Sequence, residues 1–211
     1  MRKLVLTFVL IFASSMIFAQ FTLGPKIGYN TSKLSVDQSE IETSLKNSFQ
    51  FGIFARIGKF DSKLYVQPEI NWLTQGGVFK QPSLSGGISP FEQEVNLKTV
   101  QIPVIIGYKI INPKIINIRI LAGPVASIVT DKNIESEDIS GYIKPIEDAN
   151  IEDLIWSLQI GAGVDILMFT IDVRYNIGLN KIIKDITIDG KQVTFASKVS
   201  GFSVSLGWKI F

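Results

Sequence analysis

Residues 169–179 read Phe169-Thr-Ile-Asp-Val-Arg-Tyr-Asn-Ile-Gly-Leu179, with an apolar side chain at every second position. Successive side chains of a β-strand point to opposite faces, so this alternation predicts a strand with one polar and one apolar face. The polar face carries Asp172 and Arg174, and the apolar face carries no charge.

The same alternation recurs along the chain in stretches of roughly ten residues. Eight stretches show it: 21–30, 48–59, 64–74, 97–110, 116–129, 153–166, 169–179 and 201–210. The connections between them alternate in length, at about 17, 4, 22, 6, 23, 2 and 21 residues, so long and short loops lie at opposite ends. An even number of strands with this alternation is typical of a barrel that crosses a bilayer, where closure satisfies every backbone hydrogen bond. We therefore predict an all-β fold, an eight-stranded antiparallel up-and-down transmembrane β-barrel over residues 20–211, in the outer membrane with both termini periplasmic.

A soluble eight-stranded barrel of the lipocalin type is the alternative, because it also alternates but turns its apolar face inward around a ligand. Glycine placement favours the membrane barrel. In a narrow lumen glycine makes room for large polar side chains, whereas on a water-facing surface it only weakens a strand. Of the 17 glycines, those on the predicted strands all fall on the polar face and the others fall in predicted loops. The polar-face glycines are Gly24, Gly28, Gly52, Gly58, Gly107, Gly123, Gly161, Gly163, Gly178, Gly201 and Gly207.

The N-terminus has the pattern of a secretory signal peptide. Arg2 and Lys3 precede an apolar run from Leu4 to Phe18, and Ala19 offers a cleavage site. A transmembrane anchor is the alternative, but it needs about 18 or more apolar residues. We predict that residues 1–19 form the signal peptide, after whose removal basic and acidic residues are equal in number.

Composition excludes several classes of function. The chain contains no cysteine and no histidine, which excludes disulfides, a Ser-His-Asp triad and histidine-ligated metal sites. A neutral mature chain lacks the basic footprint of a nucleic-acid-binding protein. We expect no catalytic residue, no cofactor, no metal site and no nucleic-acid partner.

Six short motifs in order resemble the PorT-like outer-membrane β-barrel family of Bacteroidetes-type bacteria. They are Gly24-Pro-Lys-Ile-Gly-Tyr-Asn30, Leu64-Tyr-Val-Gln-Pro-Glu-Ile70, Val100-Gln-Ile-Pro-Val104, Ala122-Gly-Pro124, Gly161-Ala-Gly-Val164 and Asp172-Val-Arg-Tyr-Asn-Ile-Gly178. The resemblance covers nearly the whole mature chain and implies an eight-stranded outer-membrane barrel. The namesake of the family assists a secretion system, so the resemblance also implies envelope or secretion-system proteins as partners, beside outer-membrane lipid.

The polar faces of the predicted strands define the candidate site. They gather charged residues that we expect to form a polar network in the lumen: Arg56, Glu69, Arg119, Asp165, Asp172 and Arg174. Opposite charges in so small a barrel are expected to pair across strands and plug the interior. Two classes of function stay open: a structural or interaction protein, including an accessory to secretion, and a small porin-like channel or ligand carrier.

Overall fold

The computed structural model describes residues 19–35, 42–59, 62–81, 91–111, 115–136, 151–183, 186–188, 191–193 and 198–210. The predicted signal peptide lies outside these residues except for Ala19, the first residue of the first strand. No helix in the described part of the chain is long and apolar enough to cross a membrane.

The described residues form eleven strands. They are β1 (Ala19–Ser35), β2 (Glu42–Ser44), β3 (Lys46–Lys59), β4 (Leu64–Gln81), β5 (Phe91–Ile111), β6 (Ile116–Ser136), β7 (Leu154–Ile166), β8 (Phe169–Gly178), β9 (Ile186–Ile188), β10 (Lys191–Val193) and β11 (Lys198–Trp208). Eight of them are long and make the barrel: β1, β3, β4, β5, β6, β7, β8 and β11. Strand β2 prolongs the edge of β3 along β4, and β9 and β10 form a separate hairpin.

The sheet closes on itself. The long strands are hydrogen-bonded in the order β4-β3-β1-β11-β8-β7-β6-β5, and β5 pairs back onto β4. Every pairing is antiparallel, including the seam between the first and last strands, where Lys26 lies opposite Gly207. The predicted eight-stranded antiparallel barrel is therefore confirmed.

The strands on the long-loop side extend further than the alternation predicted. Strands β4 and β5 stay paired as far as Gln81 opposite Phe91, and β6 continues to Ser136. Gly76 and Gly77, which we expected in a loop, therefore lie in β4. A paired strand needs only backbone hydrogen bonds, so it can continue beyond the residues that carry an apolar face.

Outward-facing side chains form a continuous apolar belt. Ile106 on β5, Ile160 on β7 and Val173 on β8 are each about half exposed, while their chain neighbours Ile105, Gln159 and Asp172 point inward and are buried. Aromatic pairs lie in the belt, with Phe51 stacked on Trp72 at 5.5 Å between ring centroids. Polar side chains dominate the inward face, the reverse of a lipocalin-type barrel.

The four strand prolines do not coincide with bulges. Pro25, Pro68, Pro103 and Pro124 each stand opposite a residue of a neighbouring strand in an unshifted register. The register shifts between β5 and β6 occur instead at Lys98/Thr99 and Lys109/Ile111. The described strands therefore accommodate these four prolines without a shift of register.

Candidate functional site in the barrel lumen

The alternation of each strand brings the predicted network residues into the lumen. Asp172 and Arg174 are two residues apart on β8 and so face the same side. Arg56 comes from β3, Glu69 from β4, Arg119 from β6 and Asp165 from β7. All six side chains are buried.

These residues form a closed ring of ion pairs and hydrogen bonds. Arg174 Nη2 lies 2.6 Å from Glu69 Oε1 and 2.7 Å from Asp172 Oδ2. Arg119 Nη2 lies 2.7 Å from Asp172 Oδ1 and 3.0 Å from Asp165 Oδ1. Arg56 Nη1 lies 2.8 Å from Asp165 Oδ2.

Gln67 completes the ring. Arg56 Nε donates to Gln67 Oε1 at 2.8 Å, and Gln67 Nε2 donates to Glu69 Oε1 at 2.7 Å. Lys26 joins from β1, with Nζ 2.7 Å from Glu69 Oε2. The ring thus connects strands from around the barrel and crosses its bore.

The ring is deeply buried and unbalanced in charge. Arg119 is fully inaccessible, and none of the ring's charged residues exposes more than 6% of its surface. Three acids, Glu69, Asp165 and Asp172, face three arginines and Lys26. Buried charges of this kind are tolerated only when they are paired and hydrogen-bonded, so each acid holds the arginines next to it in place.

An apolar wedge supports the ring on one side. Tyr65, Ile105 and Leu121 pack together inside the barrel. Tyr65 accepts a hydrogen bond from Arg119 Nη1 at 2.8 Å, and its ring lies 4.7 Å from the Arg56 guanidinium carbon. The amphipathic ring of tyrosine therefore joins the apolar wedge to two arginines.

Two glycines show how the bore accommodates these large side chains. A Cβ at Gly107 would lie 2.0 Å from Tyr65 Cζ, and a Cβ at Gly163 would lie 2.2 Å from Asp172 Oδ1. Any other residue at either position would displace a member of the site, so glycine is required there for close approach.

A layer of amides and hydroxyls lies between the ring and the long-loop end. Asn30, Gln75, Gln101, Gln159 and Asn176 line a cavity of about 20 Å³ there. That volume holds about one water molecule, so the described side chains of this layer pack closely.

Among the residues that the structure describes, buried aliphatic side chains form a cap at the long-loop end. The fully or almost fully buried residues at this end are Val95, Leu97, Ile151, Ile155, Ile182, Ile183 and Val199. Ile151 forms a bridge with Ile183, and Glu152 N donates to the Ile182 carbonyl at 2.8 Å. Asn180 accepts from Trp156 N at 2.7 Å and donates to the Leu154 carbonyl at 3.0 Å, which ties this cap to β7.

The predicted network left out three members of the site, Lys26, Tyr65 and Gln67. Tyr65 shares its phase with Gln67 and Glu69, so strand alternation alone could have placed it inside. Lys26 stands on the polar face of the first predicted strand, but its partner Glu69 lies two strands away in the closed sheet, and the sequence does not reveal that distance.

The ring offers little chemistry. Each of its carboxylates contacts at least one guanidinium, and no group of three potential metal-binding side chains occurs among the residues that the structure describes. The arrangement is suited to holding strands together and to filling the bore.

A closed antiparallel barrel with an apolar outer belt and a polar, filled lumen defines the class of transmembrane β-barrels. Residues 13–184 match the family described as "Outer membrane protein beta-barrel domain". The chain belongs to this family, and the protein is an integral barrel of the outer membrane, where lipid surrounds its belt.

Solved outer-membrane barrels are similar in fold. OprG from Pseudomonas aeruginosa is 12% identical with a TM-score of 0.48, over 90% of this chain and 95% of that one. Ail, the attachment invasion locus protein of Yersinia pestis, is 15% identical with a TM-score of 0.43, over 90% and 99%. Neisserial surface protein A is 12% identical with a TM-score of 0.43, over 91% and 99%. No curated protein matches the chain.

Proposed function

We propose that the protein is a non-conducting barrel with a structural or interaction role in the outer membrane. The observation that carries this proposal is the ring of ion pairs, in which Arg119 and Arg174 span the bore between acids of different strands. The amide layer and the aliphatic cap add two further barriers in series. A pore for ions instead needs charges that stay hydrated and exchange partners readily.

We also propose that the protein is not an enzyme. General acid-base catalysis needs a titrating group within reach of substrate. Glu69 and Asp172 are both engaged by arginines in the buried ring, and the chain has no histidine or cysteine to replace them.

The outer-membrane lipid and proteins of the envelope are the proposed partners. Both described chain ends, at Ala19 and Ile210, lie at the end of the barrel that carries the short turns, so we place both termini in the periplasm. The long-loop end then faces outward. The PorT-like motifs support the finer hypothesis that the barrel assists protein secretion, with secretion-system proteins as its partners.

Conductance tests the central part of the proposal. The mature chain, refolded and inserted into a planar lipid bilayer, should show no unit conductance at any holding potential that the bilayer withstands. A heat-unfolded sample serves as the control for contaminating porins. Reproducible single-channel steps from the folded protein alone would contradict the proposal.

The secretion hypothesis needs a separate test in the native bacterium. Deletion of the gene should reduce the protein content of the culture medium, and wild-type protein supplied in trans should restore it. Medium unchanged by the deletion would contradict the accessory role while leaving the non-conducting barrel unaffected.

A further inference from the structure

The short-turn end of the barrel contains a basic recess below the ring. It has a volume of about 80 Å³, several times the space of about 10–15 Å³ that one buried water needs. Four cations line it, Arg56, Lys59, Lys109 and Lys209, against a single acid, Asp165. The lining therefore carries a clear excess of positive charge.

Asp165 is already shared among neighbouring cations. It lies 2.8 Å from Arg56, 3.0 Å from Arg119 and 3.9 Å from Lys209 Nζ. One carboxylate cannot neutralise three cations, so the lysines at the mouth lack a full counter-charge from Asp165.

Arg56 lines the recess and has one guanidinium donor without a partner in the described part of the chain. Its Nε donates to Gln67 and its Nη1 to Asp165, but Nη2 is buried and has no hydrogen-bond acceptor among the described residues. The residue is 94% buried, since only 6% of its surface is accessible. A buried guanidinium donor without an acceptor is costly. An anion bound in the recess could supply that acceptor if Arg56 Nη2 turns toward it.

Lys209, which follows the last strand, has a lowered pKa beside these like charges. Burial lowers the pKa of Lys209; Asp165 opposes this effect, and the charges of Arg56, Arg119 and Lys109 add to it. A bound anion would relieve this repulsion and supply the acceptor that Arg56 Nη2 lacks.

We propose that this recess binds a phosphate oxyanion, held by Arg56 Nη2 and by the ammonium groups of Lys109 and Lys209. A multiply charged tetrahedral oxyanion matches several converging cations better than a monoanionic carboxylate does. The phosphate can belong to a free ion or to the headgroup of a lipid in the surrounding leaflet. Anion binding in this recess requires neither an open nor a closed bore, so the inference is independent of the non-conducting role proposed above.

The test uses the refolded mature chain in an uncharged maltoside detergent, titrated with inorganic phosphate by calorimetry at constant ionic strength in chloride. Wild-type protein should bind phosphate saturably. The double variant Lys109→Gln/Lys209→Gln leaves the arginines and acids of the ring in place. It should bind phosphate at least about tenfold more weakly, because the charge-assisted hydrogen bonds from both lysines are lost. Lys98→Gln, which removes an exposed cation at the opposite end, should bind like wild type.

Short-chain phosphatidic acid in the same micelles distinguishes the two sources of phosphate. Binding of this lipid but not of free phosphate, with the same loss in the double variant, would assign the site to a lipid headgroup and support the proposal. Binding of neither probe, or equal binding by wild type and the double variant, would overturn it.

Discussion

At the scale of single residues, the lumen depends on side chains that serve two partners at once. Tyr65 packs against Ile105 and Leu121 and also accepts a hydrogen bond from Arg119. Asp172 contacts both Arg119 and Arg174. Such residues transmit the loss of one contact to the next, so we expect substitutions in the ring to be far more damaging than similar changes on the outer belt.

Tyr65→Phe should lower the free energy of unfolding by about 1–3 kcal/mol, because it leaves a buried Arg119 donor without its acceptor. Urea unfolding of the refolded barrel measures this change. Tyr108→Phe is the matched control, since Tyr108 faces outward on β5. Equal stability of the two variants would mean that the Tyr65 hydroxyl contributes nothing.

Gly163→Ala should destabilise the barrel by about 1–3 kcal/mol, because the added methyl group overlaps Asp172 and Arg119. Ala162, the preceding residue, faces lipid, so the larger change Ala162→Val should be tolerated. The midpoint of heat-induced unfolding on gels compares the two variants. A lower midpoint for Ala162→Val than for Gly163→Ala would show that the inward face of β7 is not the crowded one.

At the scale of strands, alternation identifies which face of each element meets lipid. On β7 Ile160 points outward and Gln159 points inward, where it accepts a hydrogen bond from Arg174 at 3.3 Å. One strand therefore offers two adjacent positions in opposite environments.

Ile160→Arg should impair insertion at a cost of about 2–4 kcal/mol if the site lies near the bilayer midplane. Gln159→Glu adds a charge to the neighbouring residue but places it beside Arg174, so it should be well tolerated. Folding yield into lipid vesicles reports both effects. Comparable yields for the two variants would contradict the assignment of Ile160 to the lipid-facing side and Gln159 to the lumen side of β7.

The sequence alone predicted the order of the strands and which face of each strand points outward. Side chains alternate between the two faces of a strand, and lipid requires the outward ones to be apolar. The sequence was insufficient for the outer extensions of β4, β5 and β6, where backbone pairing continues the strands without a regular alternation of apolar residues. It also missed the cap formed by Ile151, Ile182 and Ile183, because these residues lie in connections without a period.

Six charged members of the ring were predictable, but their contacts were not. The polar phase placed Arg56, Glu69, Arg119, Asp165, Asp172 and Arg174 inside, since each stands opposite the apolar face of its strand. Which acid meets which base depends on the stagger of strands around the closed sheet. The pairing of Glu69 on β4 with Arg174 on β8 crosses the bore, and no local pattern encodes that distance.

At the scale of the whole molecule, the barrel consists of successive layers along its axis. A basic recess at the short-turn end leads to the ion-pair ring, then to the amide layer and to the aliphatic cap. The ring, the amide layer and the cap fill the described part of the bore with ion pairs, amides and aliphatic side chains in turn. Under the proposed function, the protein acts through its ends and its lipid-facing surface rather than by conduction through its interior.

The most direct test of this account measures stability and conductance together on Glu69→Gln and Asp172→Asn. Each change leaves an excess buried cation in the ring and should cost about 3–5 kcal/mol of unfolding free energy, less where lumen water screens the charge. The exposed variant Asp131→Asn, whose partner is Lys98 at the surface, should leave stability unchanged. We predict a lower unfolding midpoint for both ring variants and no conductance from the wild-type barrel, whereas unchanged stability with altered ion conductance would contradict a lumen sealed by its ion pairs.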